Sequence, residues 1–220
     1  MGKLAVIEGL DGCGKSTQFE RCAENLTKKG VAVKAISFPD YAQPSSTLVR
    51  MYLDGQLSDS ADDINGYAAA SFYAVDRYAS FKQFWEKDYN QGKLILAARY
   101  VTSNLIYQMS KLEKEHWDEF TDWLYDYEYN RLGLPKPDKV IFLDMPLEVS
   151  QKLLAARYEG DESKKDIHEA NMEYMKRCRE AAYFSAQKLG WEMIDCSDGI
   201  SPLPIDTINN KLMDKLGELI

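Results

Sequence analysis

The nine residues Gly9-Leu10-Asp11-Gly12-Cys13-Gly14-Lys15-Ser16-Thr17 constrain the fold of this chain more than any other stretch. They fit G-x-x-x-x-G-K-[ST], whose glycines let consecutive backbone N–H groups turn inward around phosphate oxygens. Lys15 then reaches the β- and γ-phosphates, and the Ser16 hydroxyl is offered to Mg²⁺. Such a loop works only between a strand and a helix. Residues 4–7, Leu-Ala-Val-Ile, read as the buried strand before it, and residues 16–29 read as the helix after it. Gly12 and Gly14 as mere turn formers is the competing reading, and the strand–loop–helix setting argues against it.

Composition bounds the partner. A chain of 220 residues with 45% hydrophobic content buries one substantial core, so a single domain over residues 1–220 is expected. The net charge of −8 opposes a broad contact with nucleic acid or an anionic membrane surface, so the phosphate-bearing partner is expected to be small. No apolar run reaches the length of a membrane span, and the first strand begins without a signal-peptide pattern; a cytoplasmic protein is expected. Cys13, Cys22, Cys178 and Cys196 form no C-x-x-C pair, and His116 and His168 complete no metal-ligand set. The thiols therefore read as reduced and structural.

Further along, residues 31–36 form a second strand, which completes a βαβ unit. Pro44 can open a short helix that ends near Asp54. Residues 64–89 are rich in alanine and aromatics on more than one face, as in a helix both central and part of a subunit interface. A third strand is expected at residues 94–98, a helix after Arg99-Tyr100, and another at residues 113–131, where Trp117, Phe120, Trp123, Leu124 and Tyr127 make a packing stripe. A fourth strand, residues 140–144, ends in Asp144, and Pro146 starts a helix running to about Arg157. The charged residues 158–166 suit a lid. A long helix at residues 168–189, a last strand at 191–195 and a closing helix at 205–219 complete the chain. Five apolar strands separated by helices give an α/β three-layer architecture with a mainly parallel sheet. Ligands gather at the carboxyl ends of such strands, where Glu8 and Asp11, Phe38 and Tyr41, Arg99 and Tyr100, and Asp144 all fall.

The residues from Ile7 to Thr17, then Phe38-Pro39, Tyr73-Ala74-Val75-Asp76-Arg77, the run from Arg99 to Gln108, and that from Pro137 to Asp144 resemble, in order, the motifs of thymidylate kinases. The cradle alone indicates a P-loop nucleotide binder; the ordered set is similar to nucleoside monophosphate kinases of the thymidylate type. The resemblance implies a P-loop kinase fold with a short lid at about residues 157–167, ATP and Mg²⁺ as cofactors, and a homodimer. It implies transfer of the ATP γ-phosphoryl group to dTMP, giving dTDP and ADP. Gly9 to Thr17 would then hold the donor nucleotide. Asp11 would bond the sugar 3′-hydroxyl or organise the metal site, and Phe38 and Tyr73 would line the thymine pocket. Arg77 would read a thymine carbonyl and Asn104 the adjacent base edge. Arg99 would clamp the dTMP phosphate as a fork, assisted by Tyr41, and Tyr107 would leave no room for a ribose 2′-hydroxyl. Lys15 covers the donor side, with Arg157 as the lid arginine and Glu8 as a further carboxylate near the phosphates.

Two positions depart from the family's pattern. Some thymidylate kinases have a basic residue where this chain has Gly12, and the family ordinarily has Asp-Arg-Tyr where this chain has Ala98-Arg99-Tyr100. The carboxylate that helps hold Mg²⁺ is thus replaced by a methyl group, and the resemblance implies impaired transfer. Two alternatives stay open: a nucleotide-binding homologue with little transferase activity, and a kinase for another deoxynucleotide.

Overall fold

Three strands of this chain are apolar on both faces, and that property sets the architecture. The computed structural model describes residues 1–58, 63–157 and 171–220. Its strands β1 (Lys3–Gly9), β2 (Val33–Ser37), β3 (Leu94–Ala98), β4 (Lys139–Asp144) and β5 (Glu192–Asp195) form one sheet in the order β2-β3-β1-β4-β5, every pairing parallel. Parallel strands need crossovers, and helices provide them on both faces. The period of two sends Leu4 and Val6 of β1 into one core and Ala5 and Ile7 into the other. Phe142 and Ile141 of β4 part in the same way.

The helices are α1 (Lys15–Lys28), α2 (Thr47–Leu53), α3 (Gly66–Ser80), α4 (Glu86–Asn90), α5 (Thr102–Tyr107), α6 (Trp117–Tyr125), α7 (Leu147–Arg157), α8 (Met172–Leu189) and α9 (Ile205–Gly217). Leu26 of α1, Val149 of α7 and Leu212 of α9 join the core that takes Ile7, while Leu105 of α5, Phe120 of α6 and Tyr174 of α8 join the core that takes Val6. This is the expected α/β three-layer fold with its five-stranded parallel sheet.

Local differences from the sequence reading have local causes. Residues 64–89 are not one helix, because a π turn at Phe81–Trp85 separates α3 from α4. Residues 113–131 divide into a 3₁₀ turn (Lys114–His116), α6 and a second π turn (Asp126–Arg131). Each π turn carries an extra residue and rotates the side chains beyond it relative to a regular helix. Pro44 opens a 3₁₀ turn before α2 rather than α2 itself. The expected lid lies outside the described residues except for Arg157, the last residue of α7, and residues 168–170 of the expected long helix lie outside them too.

In the sheet order, the chain runs outward from β1 past β3 to β2, returns to β3, and then crosses β1 to β4. The carboxyl ends of β1 and β3 therefore flank the point where the winding reverses, and the loops after them open a crevice there.

Candidate active site

Leu10 to Thr17 line a cavity of about 830 Å³ at this crevice, a size that suits a small-molecule site. Gly9 lies just below it, paired with Leu143 as the last residue of β1. Gly14 is the N-cap of α1 at φ 82°, with no side chain capping the helix, so the first amides of α1 are left for an anion. Gly12, at φ 78°, presses against α7: a Cβ there would stand 2.6 Å from the Ser150 carbonyl oxygen and 2.8 Å from Leu154 Cγ. The basic side chain found at this position in some thymidylate kinases has no room here. Lys15 is buried, and it forms no ion pair among the described residues. Burial pushes its pKa down, and the nearby Arg99 charge pushes in the same direction. An anion at the cradle relieves both effects. Ser16 and Thr17 stand exposed in the first turn of α1.

Arg99 follows β3 with φ at 65°, the one non-glycine residue at positive φ among those described. Its amide donates to the Ile7 carbonyl at 3.1 Å, which fixes the turn against β1. The turn carries the guanidinium over the Tyr107 ring, 4.9 Å from its centroid, and into an ion pair with Asp11. Tyr107 Oη donates to the other Asp11 oxygen at 3.0 Å. Burial drives the Tyr107 pKa well above that of an ordinary tyrosine, so it is the neutral hydroxyl that donates. Asp11, Arg99 and Tyr107 are thus one assembly on the cavity wall.

Glu8 is fully buried and does not line the cavity. Its Oε1 accepts the Tyr100 amide at 3.2 Å, the Thr102 hydroxyl at 2.7 Å and the Ser103 hydroxyl at 2.9 Å, and its Oε2 also accepts from Ser103 at 2.9 Å. That carboxylate ties β1 to the start of α5. Ala98 brings its methyl group to the cavity wall at 5% exposure. Arg157 ends α7, and its side chain lies outside what is described.

The same cavity is also lined by Phe38, Tyr41, Tyr73, Arg77 and Asn104. Phe38 is buried with its ring 6.1 Å from that of Tyr100, whereas Tyr41 is 54% exposed at the mouth. Tyr73 meets Tyr52 edge-on at 6.4 Å. Arg77 is buried and bound through Nε at 2.7 Å and Nη2 at 2.5 Å to both oxygens of Glu128. Burial is the largest single influence and works to lower its pKa, but the Glu128 charge and hydrogen bonds, with Tyr100 and Tyr129, together raise it. Asn104 Nδ2 donates to the same carboxylate at 3.1 Å and to the Ala70 carbonyl at 3.2 Å.

Glu128 is the member of this group that the sequence reading missed. It lies in the second π turn, eleven residues beyond Trp117 and four beyond Leu124 on the stripe that packs α6. An acid on an apolar stripe is the available signal, because a carboxylate that points into a core needs a cation there.

Among the described residues no group of three or more His, Cys, Asp or Glu is placed to hold a metal, and none of their helices is long and apolar enough to cross a membrane. All four cysteines are free and buried.

Known proteins resemble this chain in sequence and fold. The family model described as thymidylate kinase matches residues 7–203. Thymidylate kinase of Mycobacterium tuberculosis strain H37Rv is 30% identical over 192 residues, which span 86% of this chain and 87% of that protein. Thymidylate kinase of Homo sapiens is 28% identical over 226 residues, spanning 99% and 97%. The solved structure of thymidylate kinase from Candida albicans superposes with a TM-score of 0.70 at 24% identity, covering 99% of this chain and 92% of that one, and so shares its fold.

Proposed function

The chain belongs to the thymidylate kinase family, and on that premise we propose how its cavity transfers the γ-phosphoryl group of ATP to dTMP, giving dTDP and ADP. The observation that carries the reading is the placement of three recognition elements in one cavity. The phosphate cradle with Lys15, the Arg99 fork paired with Asp11 of that cradle, and Arg77 with Asn104, which share Glu128, all line it. These three elements suit a donor phosphate, an acceptor phosphate and a base, respectively.

Phosphoryl transfer asks the protein for alignment and for cations that meet spreading negative charge, with no covalent enzyme intermediate. Backbone amides from Gly9 to Thr17 hold the donor phosphates, and Lys15 gains its counter-charge as they arrive. Arg99 presents its fork to the dTMP phosphate, already oriented by Asp11 and Tyr107. Tyr41 stands at the mouth to assist it. Asp11 accepts from the sugar 3′-hydroxyl, and Tyr107 closes the space beside the sugar 2′-carbon. Tyr73 stacks on the base with Phe38 behind it, while Arg77 and Asn104 bond its edge. Glu8 serves from beneath by fixing the start of α5, the helix that carries Asn104 and Tyr107. Arg157, at the entry to the proposed lid, is our choice for the third cation.

We propose that the Ser16 hydroxyl, with Asp11 helping to organise the site, would hold Mg²⁺ that enters on the nucleotide phosphates. One hydroxyl, one carboxylate, phosphate oxygens and water suit that ion, which neutralises charge on the transferring group. A homodimer is proposed through the exposed apolar side chains Leu48 of α2, Val75 and Tyr78 of α3, and Phe84. Sedimentation of only monomer at micromolar protein would refute it. The free, buried cysteines fit the cytoplasmic location we propose.

Calorimetric titration tests the acceptor assignment. dTMP is expected to bind at least tenfold more tightly than thymidine, because only dTMP offers Arg99 a phosphate. Equal affinities would remove Arg99 from the acceptor site, and tighter binding of dGMP would assign the pocket to another nucleotide.

A further inference from the structure

We infer that Glu128 is a positioning residue that sets the hydrogen-bond polarity of the base-reading wall and thereby the preference for a thymine or uracil edge over a cytosine edge. The inference rests on the reading that Arg77 and Asn104 face the base. Glu128 and Arg77 are 51 positions apart and both essentially sealed from solvent, at 0% and 1% exposure. Removing two charges from water is costly, so a pair at this depth serves geometry at least as much as stability.

The geometry is specific. Glu128 takes Arg77 Nε and Nη2, and the Tyr100 carbonyl takes Nη1 at 3.3 Å. The guanidinium plane is thereby fixed while further Nη hydrogens are left to donate on the cavity side. Asn104 is bound just as firmly. Its amide faces the Glu128 carboxylate and the Ala70 carbonyl, and both accept, so only the NH₂ end fits there. Oδ1 must then be the end offered to the cavity, and it has no hydrogen-bond partner among the described residues. The wall thus shows a donor from Arg77 beside an acceptor from Asn104. Thymine and uracil present the complement, an O4 acceptor beside an N3–H donor. Cytosine presents the reverse, an N4 amine beside an N3 acceptor. Without the Glu128 charge the Asn104 amide is able to turn over, and the wall no longer distinguishes the two edges.

The test titrates dTMP, dUMP and dCMP into the full chain and into Glu128→Gln, Glu128→Asp and Asn104→Ala, with thermal unfolding of each variant followed in parallel. Binding ratios are read, so the result does not depend on turnover. In Glu128→Gln the dTMP-to-dCMP affinity ratio is expected to fall by about ten- to a hundredfold. The dTMP-to-dUMP ratio is expected to stay within about twofold, because uracil shows the same edge as thymine. If the Gln variant does not fold, Glu128→Asp carries the same test, since its shorter side chain cannot hold Arg77 and Asn104 together. Unchanged ratios in folded Glu128 variants, with a collapsed dTMP-to-dCMP ratio in Asn104→Ala, overturn the role of Glu128 alone. Unchanged ratios in all variants, or no dTMP binding by the parent chain, overturn the base-reading assignment with it. A parallel fall of both ratios in the Glu128 variants shows general loosening and also overturns the inference.

Discussion

Asp11 and Arg99 form an ion pair across 88 positions of sequence, one from the loop after β1 and the other from the turn after β3. The arginine reaches its partner only because its backbone takes a left-handed conformation, φ 65°. For an L-residue that conformation costs about 1–2 kcal/mol, and the strain stands where the proposed acceptor phosphate binds. Arg99→Gly relieves the strain while removing the fork. The variant is expected to keep its stability to within about 1 kcal/mol in denaturant unfolding, yet to lose dTMP affinity by about a hundredfold. A much less stable variant would show that the Asp11 contact outweighs the strain.

Gly12 carries the contact between cradle and α7. Gly12→Ala places its Cβ against the Ser150 carbonyl, which belongs to backbone and cannot swing away. A stability loss of about 1–3 kcal/mol is expected, together with weaker ATP binding. Denaturant unfolding and ATP titration check both, and a neutral substitution would mean that α7 moves freely relative to the loop.

The opposite end of the sheet controls stability in acid. Glu192 pairs with Lys139 at 2.6 Å and Lys215 at 2.7 Å, and Lys139 also pairs with Glu218. Partial burial works to raise the Glu192 pKa, but the hydrogen bonds and charges of Lys139 and Lys215 together outweigh it, and the net value lies below the ordinary 4.5. Glu218 is lowered by its Lys139 bond. A carboxylate depressed in the folded state contributes stability that is full above its unfolded pKa and is lost as pH falls through the folded value. Stability is therefore expected to decline below about pH 4.5, and Glu192→Gln should flatten that decline. Identical acid profiles for parent and variant would assign the decline to other carboxylates.

Ala98 is the position at which chemistry and binding separate. Its methyl group lines the cavity next to Arg99, so a carboxylate there would find cations close by. Ala98→Asp is expected to raise kcat by about tenfold or more while changing dTMP affinity little. An unchanged kcat would mean that Ser16 and Asp11 suffice for the metal.

The fold was legible because its determinants are local. A cradle between an apolar strand and a helix, followed by apolar strands separated by helical patterns, admits few topologies, and Leu4 to Ile7 already show a strand buried on both faces. Leu10 to Thr17, Phe38 and Arg99 were legible from the cradle and from the way parallel strands place their carboxyl ends together, whereas Tyr73, Arg77, Asn104 and Tyr107, which lie in α3 and α5, were legible only through the resemblance to thymidylate kinases. Partnerships were not legible. Nothing near Glu128 in sequence announces Arg77, and the π turn that aims it inward has no periodic signature. Glu8 looks like a catalytic carboxylate in sequence, and only the three-dimensional arrangement shows its oxygens occupied by the residues that start α5.

The most direct measurement is ADP formation from ATP and Mg²⁺ with and without dTMP, with the second product identified and Lys15→Ala run beside the parent. The account predicts dTMP-dependent ADP release matched one-to-one by dTDP, slow in the parent and lost in Lys15→Ala. Tight dTMP binding with no dTMP-dependent ADP release, in the parent and in Ala98→Asp alike, would contradict it and leave a nucleotide-binding protein in place of a kinase.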